Sequence, residues 1–151
     1  MRVSAKVDYA VRAALELAAA GEGPVKGERI ADAQKIPLKF LENILLDMKH
    51  DGLVQSQRGP EGGYWLAKPA ADVTVADVIR SVEGPLASVR GNRPEALEYE
   101  GAAGSLQTLW IALRSSLRGV LETVTLDNLV NGELPPEVLG LTENAEAWRG
   151  H

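Results

Sequence analysis

The sequence predicts a mainly α-helical fold with one small β-hairpin, and three observations lead to that expectation. Apolar residues repeat three and four positions apart over much of the chain, as they do on the buried face of a helix. Two helical segments lie between Ile30 and His50 with a brief turn between them. A glycine-rich stretch at 58–62 then separates two short runs of β-forming residues. Two helices followed by such a hairpin are typical of a winged helix-turn-helix.

Composition excludes several classes of site. None of the 151 residues is a cysteine, which excludes disulfides, thiolate metal sites, cysteine-bound iron–sulfur clusters and cysteine nucleophiles. His50 and His151 are the only imidazoles, so we expect no metal centre and no cofactor. The chain shows neither a signal peptide nor an apolar run of bilayer-spanning length, and we therefore expect a cytoplasmic protein that does not bind membranes.

The formal charge of −5 is unevenly distributed along the chain. Residues 1–70 hold ten Lys or Arg and nine Asp or Glu, a net charge of +1. Residues 71–151 hold six and twelve, a net charge of −6. A near-neutral first half can still bind DNA if its basic side chains share one face, and the binding should then be sensitive to salt.

The first helices have clear start and stop signals. Ser4 is expected to cap a helix that runs to about Ala20, and Gly21 to Pro24 end it. A short helix at 29–34 and a turn at 35–36 follow. Pro37 suits the first position of the next helix, because its missing N–H would be unpaired there. That helix, 38–50, should bury one apolar side, consisting of Leu41, Ile44, Leu45 and Met48.

The hairpin and the segments after it complete the predicted organisation. Strands are expected at 53–57 and 63–67, and Thr74 with Asp77 should start a helix that ends near Gly84. Residues 86–104 show little periodicity and suggest a mobile loop or linker. We divide the chain into a winged helix-turn-helix domain (1–84), a linker or effector loop (85–104), a dimerisation helix with a short helix after it (105–131), and a loosely ordered tail (132–151).

The longest predicted helix, from about Ser105 to Thr123, carries an apolar seam. Its members alternate four and three positions apart, which is a heptad pattern. A helix with so long an apolar stripe needs a partner surface, and a two-fold homodimer provides one most simply. The residues expected at this dimer interface are Leu106, Trp110, Leu113, Leu117, Val120 and Val124.

The second helix of the pair is expected to read bases in the major groove of double-stranded DNA. Lys39 can donate to guanine, and Asn43 can pair bidentately with adenine. Leu38 or Phe40 can touch a thymine methyl group, although Phe40 suits the protein core about equally well. Lys39 and Asn43 can also be read as an ordinary solvated face.

Two further groups of residues are expected to contact the DNA backbone or the minor groove. Arg58 at the hairpin tip suits a narrow minor groove, and Gln57 lies beside it. Arg2, Ser4 and Lys6 lie at the start of the first helix, where free backbone N–H groups favour phosphate.

Other functions compete with DNA binding. A protein-interaction module that does not bind DNA specifically is the main alternative, because the net charge is acidic. The acidic residues Glu95, Glu98 and Glu100 could hold a cation, but their irregular spacing fits a solvated loop better. No Ser/His/Asp set, phosphate-binding glycine loop or paired catalytic carboxylates can be found, so we expect no enzyme activity.

Several segments, taken in order, resemble those of a known family. They are 1–4 with 8–10, 36–37 with 40–42, 52–59, 62–69 and 82–84. Together they resemble the Rrf2 family of bacterial transcription regulators over residues 1 to about 84, and 124–129 fits the segment after its dimerisation helix. The resemblance implies a homodimer that binds a partly palindromic operator and represses or activates a promoter. It marks Lys39, Phe40, Arg58, Gly59, Gly62 and Gly63 as the DNA-contact region.

The chain departs from this family in one respect. Many members hold an iron–sulfur cluster through three cysteines in the segment that corresponds to about 86–105, and this chain has none. Cluster-based sensing is therefore not implied. Because members without a cluster exist, including one type that works with a metabolic enzyme as co-repressor, we expect a small-molecule effector or a protein co-regulator. The predicted function is that of a sequence-specific, homodimeric transcriptional regulator, most simply a repressor.

Overall fold

The computed structural model describes residues 1–151 and contains seven α-helices and one two-stranded sheet. The mainly helical fold class with a single hairpin is confirmed, and the helix-turn-helix and wing follow in the predicted order. No helix has the length and apolar character needed to cross a membrane. The elements are α1 (Ala5–Ala20), α2 (Gly27–Gln34), α3 (Leu38–His50), β1 (Val54–Gln57), β2 (Gly63–Leu66), α4 (Val75–Glu83), α5 (Leu106–Leu121), α6 (Leu126–Asn131) and α7 (Pro136–Gly140).

Side-chain caps determine where α1 and α4 begin. The Ser4 hydroxyl accepts a 3.1 Å hydrogen bond from the backbone N–H of Val7, as predicted for α1. Thr74 and Asp77 form the predicted capping box of α4, in which each side chain accepts a hydrogen bond from the backbone N–H of the other, at 3.1 and 3.0 Å. Each cap stabilises its helix by about 0.5–2 kcal/mol, because it pairs N–H groups that the first turn leaves free.

The turn between α2 and α3 orients the second helix of the pair. Lys35 adopts a left-handed backbone conformation, with φ 54°, and Ile36 is buried beneath it. Pro37 lies one position earlier in the helix than predicted. It is the N-cap, with φ −56° and ψ 125°, and its carbonyl accepts a 2.9 Å hydrogen bond from the N–H of Leu41. The bounds of α3 agree with the prediction.

Arg12 of α1 fastens α1 to the end of α2. Its Nη1 donates a 2.7 Å hydrogen bond to the backbone carbonyl of Gln34, and its Nη2 lies 2.8 Å from Asp8. The guanidinium carbon also lies 4.8 Å from the centre of the Tyr9 ring, within the range of a cation–π contact. The helix-turn-helix is therefore held by polar contacts as well as by its apolar core.

The wing is a short antiparallel hairpin attached to the chain before α2. Val54 pairs with Leu66 and Gln57 pairs with Gly63. Val25 and Tyr64 exchange two backbone hydrogen bonds of 2.8 Å, so the connection between α1 and α2 forms an isolated β-bridge with β2. This added pairing fixes the position of β2 relative to α2.

Helix α6 returns to the domain that α1 to α4 form. Leu126 is fully buried in the main core, and its N–H donates a 2.9 Å hydrogen bond to the carbonyl of Val73. The N–H of Val75 donates to the carbonyl of Val124, also at 2.9 Å. The core thus includes residues from both sides of α5. The four-part division of the chain stays a prediction, although these contacts join α6 to the winged helix-turn-helix.

The segment between α4 and α5 is packed against α5, and its assignment as a linker or effector loop stays a prediction. Pro94 and Leu97 are buried, and short 3-10 turns occur at Pro94–Ala96 and Gly101–Ala103. The Gln107 amide of α5 donates to the carbonyls of Pro94 and Leu97, at 3.2 and 2.7 Å. The C-terminal tail, expected to be loosely ordered, contains α7 and a 3-10 turn at Ala145–Trp148.

Candidate nucleic-acid interface

A groove of about 570 Å³ lies between the exposed side of α3 and the wing. Six of the predicted DNA-contact positions line it together: Asn43, Gln57, Arg58, Gly59, Gly62 and Gly63. Side chains of α3 and residues of the hairpin that follows it in the chain therefore face the same groove. Both elements are solvent-accessible on the groove side, as an interface that reads a duplex requires.

The exposed side of α3 is a continuous stripe. Lys39, Glu42, Asn43, Leu46 and Lys49 are all exposed, at the three- and four-residue spacing that puts them on one face. The opposite side contains the predicted buried residues, and all four of those are buried. Since Leu46 is 47% exposed in the middle of this stripe, α3 also offers an apolar contact there.

The wing tip is tied to the start of α2. The amine of Lys26 donates a 2.8 Å hydrogen bond to the backbone carbonyl of Gly59. Gly59 has φ +105°, a conformation that an L side chain rarely adopts, and space around it is open. Arg58 is exposed next to it, and the structure gives its side chain no ion pair. Its guanidinium group is therefore available to a phosphate or a base.

Two of the predicted contact glycines have a structural role that the sequence pattern did not identify. Gly62 and Gly63 are buried. A Cβ on Gly62 would lie 2.0 Å from the carbonyl oxygen of Gln57, and one on Gly63 would lie 2.6 Å from that of Val25. Both distances are well inside van der Waals contact, so only glycine fits. These residues therefore shape the wing by close backbone approach, and their direct contact with DNA stays a prediction.

The start of α3 lies outside the lining of the groove. Phe40 packs edge-on against Tyr9, with ring centroids 5.6 Å apart and the planes at 85°, and it is still 42% exposed. Part of the Phe40 ring is therefore packed within the protein, and part remains open to a thymine contact. Leu38 is 37% exposed, and Lys39 is exposed one turn before Asn43.

The predicted contacts on α1 are partly engaged within the protein. Lys6 pairs with Asp47 of α3 at 2.9 Å. The Ser4 hydroxyl, besides capping α1, donates to the carboxylate of Glu83 at the end of α4. Arg2 lies in an apolar cleft beside α4 and α5, away from the residues that line the groove. None of these three side chains lines the groove, although Lys6 contacts α3 through Asp47. A phosphate would have to displace the existing partners of Ser4 and Lys6.

Charges in the groove are mixed. Lys26, Lys49 and Arg58 contribute three positive charges, and Glu28 and Glu42 contribute two negative charges. The excess is small, in agreement with the near-neutral first half of the sequence. The sequence pattern did not single out Lys26 or Lys49. The helical spacing from Asn43 through Leu46 to Lys49 is a signal that could have identified Lys49, whereas nothing local to Lys26 indicates that it reaches a hairpin 33 residues away.

The seam of α5 is half-buried in the single chain. Leu106, Trp110, Leu113, Leu117 and Val120 are each partly covered, and α5 has no fully buried residue. Val124 is different, because α5 ends at Leu121 and Val124 is buried within the domain. The expectation that Val124 belongs to the dimer seam is therefore corrected. Leu109, which was not predicted, is 56% exposed one turn before Leu113.

Known transcriptional regulators match both the sequence and the fold. The sequence model of the Rrf2 family, described as an iron-dependent transcriptional regulator, matches residues 3–132. A protein of Mycobacterium tuberculosis named as an HTH-type transcriptional regulator is 47% identical over 148 residues, covering 97% of this chain and 92% of that protein. The HTH-type transcriptional regulator IscR of Photorhabdus laumondii is 36% identical over 145 residues, covering 95% and 88%.

A solved structure shows the same architecture. CymR, the global cysteine regulator of Bacillus subtilis, is 34% identical and superimposes with a TM-score of 0.73. The alignment covers 87% of this chain and 98% of CymR. The likeness therefore concerns the arrangement of the helix-turn-helix, the wing and the long helix together.

The residues present do not fit the iron centre that the family description implies. The sequence has no cysteine, so no thiolate can bind an iron–sulfur cluster. No three His, Asp or Glu side chains gather in a way that could hold a metal ion.

Proposed function

Because this chain belongs to the Rrf2 family of transcriptional regulators and is a DNA-binding protein of that class, we propose that it is a sequence-specific homodimeric repressor. Its operator would be a partly palindromic duplex, and its effector a small molecule or a protein partner in place of an iron–sulfur cluster. Repression is the proposed sign of regulation because a dimer that covers an operator within a promoter excludes polymerase sterically.

The groove between α3 and the wing is the observation that carries this proposal. Asn43 of α3 and Arg58 of the wing line the same groove, and Lys39 is exposed one turn before Asn43. In the major groove Lys39 would donate to guanine and Asn43 would pair with adenine. Arg58 would enter the flanking minor groove, where its permanent charge is attracted by the narrow, strongly negative site.

The homodimer is proposed from the surface of α5. The five half-buried seam residues continue into the exposed Leu109, which lies between Leu106 and Leu113 on the helix surface. Such an apolar surface on a 16-residue helix is stabilised when a second copy covers it. Two-fold pairing would hold two copies of α3 at the spacing of successive major grooves, about 34–36 Å.

Fluorescence anisotropy with the duplex upstream of the protein's own gene tests the proposal. We expect specific binding in the nanomolar range that weakens steeply with added salt. Asn43→Ala should cost about 1–3 kcal/mol on this duplex and almost nothing on an unrelated one, because a base contact carries sequence information. Arg58→Ala should weaken binding to both, whereas Arg149→Ala in the exposed tail is the matched control and should change neither. Equal affinity of the unaltered protein for the two duplexes would contradict the proposal.

A further inference from the structure

Four arginine side chains converge on a cavity that shares no residue with the groove between α3 and the wing. This cavity, which we call the arginine cavity, has a volume of about 240 Å³. Arg80 comes from α4, Arg93 from the segment between α4 and α5, and Arg114 and Arg118 from α5. The pattern of the sequence assigned these side chains no role, because they meet only when the segment folds back between the two helices.

Acidic partners neutralise only part of the positive charge. Glu122 accepts a hydrogen bond from Arg80 and lies 3.9 Å from Nε of Arg118. Glu95 accepts a hydrogen bond from Arg114. Arg93 takes part in none of the ion pairs of the chain. Four guanidinium groups thus share two carboxylates, which leaves two positive charges in excess within a chain whose net charge is −5.

Guanidinium groups that lie close together repel one another, and a further anion would reduce that repulsion. The side chain of Arg114 is only 14% exposed, and burial disfavours its charge unless a partner compensates. The pKa of Glu95 is held below its ordinary value, by a hydrogen bond from its own backbone N–H and then by Arg114. That carboxylate therefore remains charged, yet it serves mainly one guanidinium. Arg93 and Arg118 are exposed, and neither side chain donates a hydrogen bond within the chain.

We propose that the arginine cavity binds a small dianionic oxyanion, such as the phosphate or sulfate group of a metabolite. A dianion would balance the excess of two positive charges. Guanidinium groups suit tetrahedral oxyanions because their N–H donors form a planar fork that can donate two parallel hydrogen bonds. The volume is well above the minimum that one bound water needs, so there is room for such a group and a few attached atoms.

Occupancy of the arginine cavity would couple two parts of the fold. Helix α4 is anchored in the main core through Val78 and Val82, whereas α5 has no fully buried residue. An anion bonded to Arg80 and Arg118 at once would favour one arrangement of α5 against α4. This consequence rests on the proposed function: if α5 pairs two copies, the anion would alter the spacing of their α3 helices and hence the affinity for DNA.

Isothermal titration calorimetry on the full chain tests the binding step. Inorganic phosphate and sulfate are titrated separately, with chloride keeping the ionic strength constant. We expect saturable binding at one site per chain. Arg93→Gln and Arg118→Gln should each weaken it about tenfold, the order expected when a charge-assisted hydrogen bond is lost. Arg90→Gln is the matched control, because it removes one exposed charge from the same segment but does not line the cavity. Its binding should be unchanged.

The possible outcomes separate the alternatives. Binding of phosphate alone, or of sulfate alone, supports the site and identifies the source of the oxyanion. No saturable binding of either anion overturns the proposal, as does an equal loss with Arg90→Gln, which would indicate general attraction to positive charge. The proposal also fails if neither anion binds and Arg93→Gln instead weakens binding to DNA of any sequence, because the arginines would then serve the DNA backbone.

Anisotropy with and without the bound anion keeps the two proposals distinct. If the protein binds its operator specifically but binds neither anion, only the proposal of an anion site in the arginine cavity is contradicted. Anion binding by a protein without specific operator binding contradicts the proposed function alone. A change in operator affinity on adding the anion, absent in Arg93→Gln, would support both.

Discussion

The amine of Lys26 donates a hydrogen bond to the carbonyl of Gly59, and this contact ties the start of α2 to the tip of the wing. The two residues are 33 positions apart, and both belong to the surface that we propose meets DNA. Because the bond is exposed to solvent, it orients the wing tip more than it stabilises the fold.

Lys26→Ala is therefore expected to weaken DNA binding with little loss of stability. Both the orientation of the wing tip and one positive charge are lost, so affinity should fall for all duplexes. The slope of log affinity against log salt concentration should decrease in magnitude by about one. The free energy of unfolding should change by less than about 1 kcal/mol. Anisotropy across a salt series and urea denaturation measure the two effects. Lys26→Arg, which retains a charged donor, should behave almost like the unaltered protein; a defect as large as that of Lys26→Ala would contradict this account.

Gly63→Ala is expected to disrupt the wing. The new Cβ would clash with the backbone of Val25, whose pairing with Tyr64 holds β2. The clash can be removed only by moving the backbone, because no flexible side chain is involved. We expect destabilisation of about 1–3 kcal/mol or more, measured by urea denaturation. Gly59→Ala is the comparison, because space around Gly59 is open and only its positive φ is strained, at about 1 kcal/mol. A smaller loss of stability for Gly63→Ala than for Gly59→Ala would contradict the importance of the close backbone approach at Gly63.

Leu109→Glu is expected to dissociate the proposed dimer without unfolding the protomer. Leu109 is 56% exposed in the single chain, so a charge there costs little until a second copy covers it. Sedimentation velocity should show single chains for Leu109→Glu, with an unchanged helical circular dichroism spectrum. Ser115→Glu is the control, since Ser115 is exposed on the side of α5 away from the seam. If the Leu109→Glu protein remained dimeric at micromolar concentration, the proposed interface would be wrong.

The stability of the protein is expected to depend on pH through Glu95. Hydrogen bonds from its own backbone and from Arg114 lower its folded-state pKa below the ordinary value of 4.5. The contribution of Glu95 to the free energy of unfolding is therefore fully present above its unfolded-state pKa. It is lost as the pH falls through the lower folded-state pKa. NMR titration of the Glu95 side chain should give a midpoint below 4.5, and Arg114→Gln should raise it. Arg149→Gln, far along the chain, should leave the midpoint unchanged, and a midpoint insensitive to Arg114→Gln would contradict the assigned cause.

Much of the helix-turn-helix could be predicted because its signals are local. The cap at Ser4, the box at Thr74 and Asp77, and the apolar face of α3 each depend on residues within one or two turns of each other. Helical spacing alone also predicts that Asn43 and Lys39 share an exposed face. Helix α3 of the candidate interface could therefore be predicted from the sequence.

The errors occurred where distant segments meet. Val124 continues the heptad spacing, but the helix ends before it, and the chain turns so that Val124 and Leu126 enter the main core. The structural role of Gly62 and Gly63 was also missed, because it follows from backbone approach by Gln57 and Val25. No local pattern records either event.

The order of residues alone was enough to predict a winged helix-turn-helix, its recognition helix and an apolar long helix, because periodicity, caps and turn residues act over a few positions. Folding in three dimensions was needed to join Lys26 to Gly59, to bury the wing glycines and to gather four arginines between α4 and α5. Such contacts depend on how separate elements pack, and packing brings together residues whose separation along the chain carries no repeating signal.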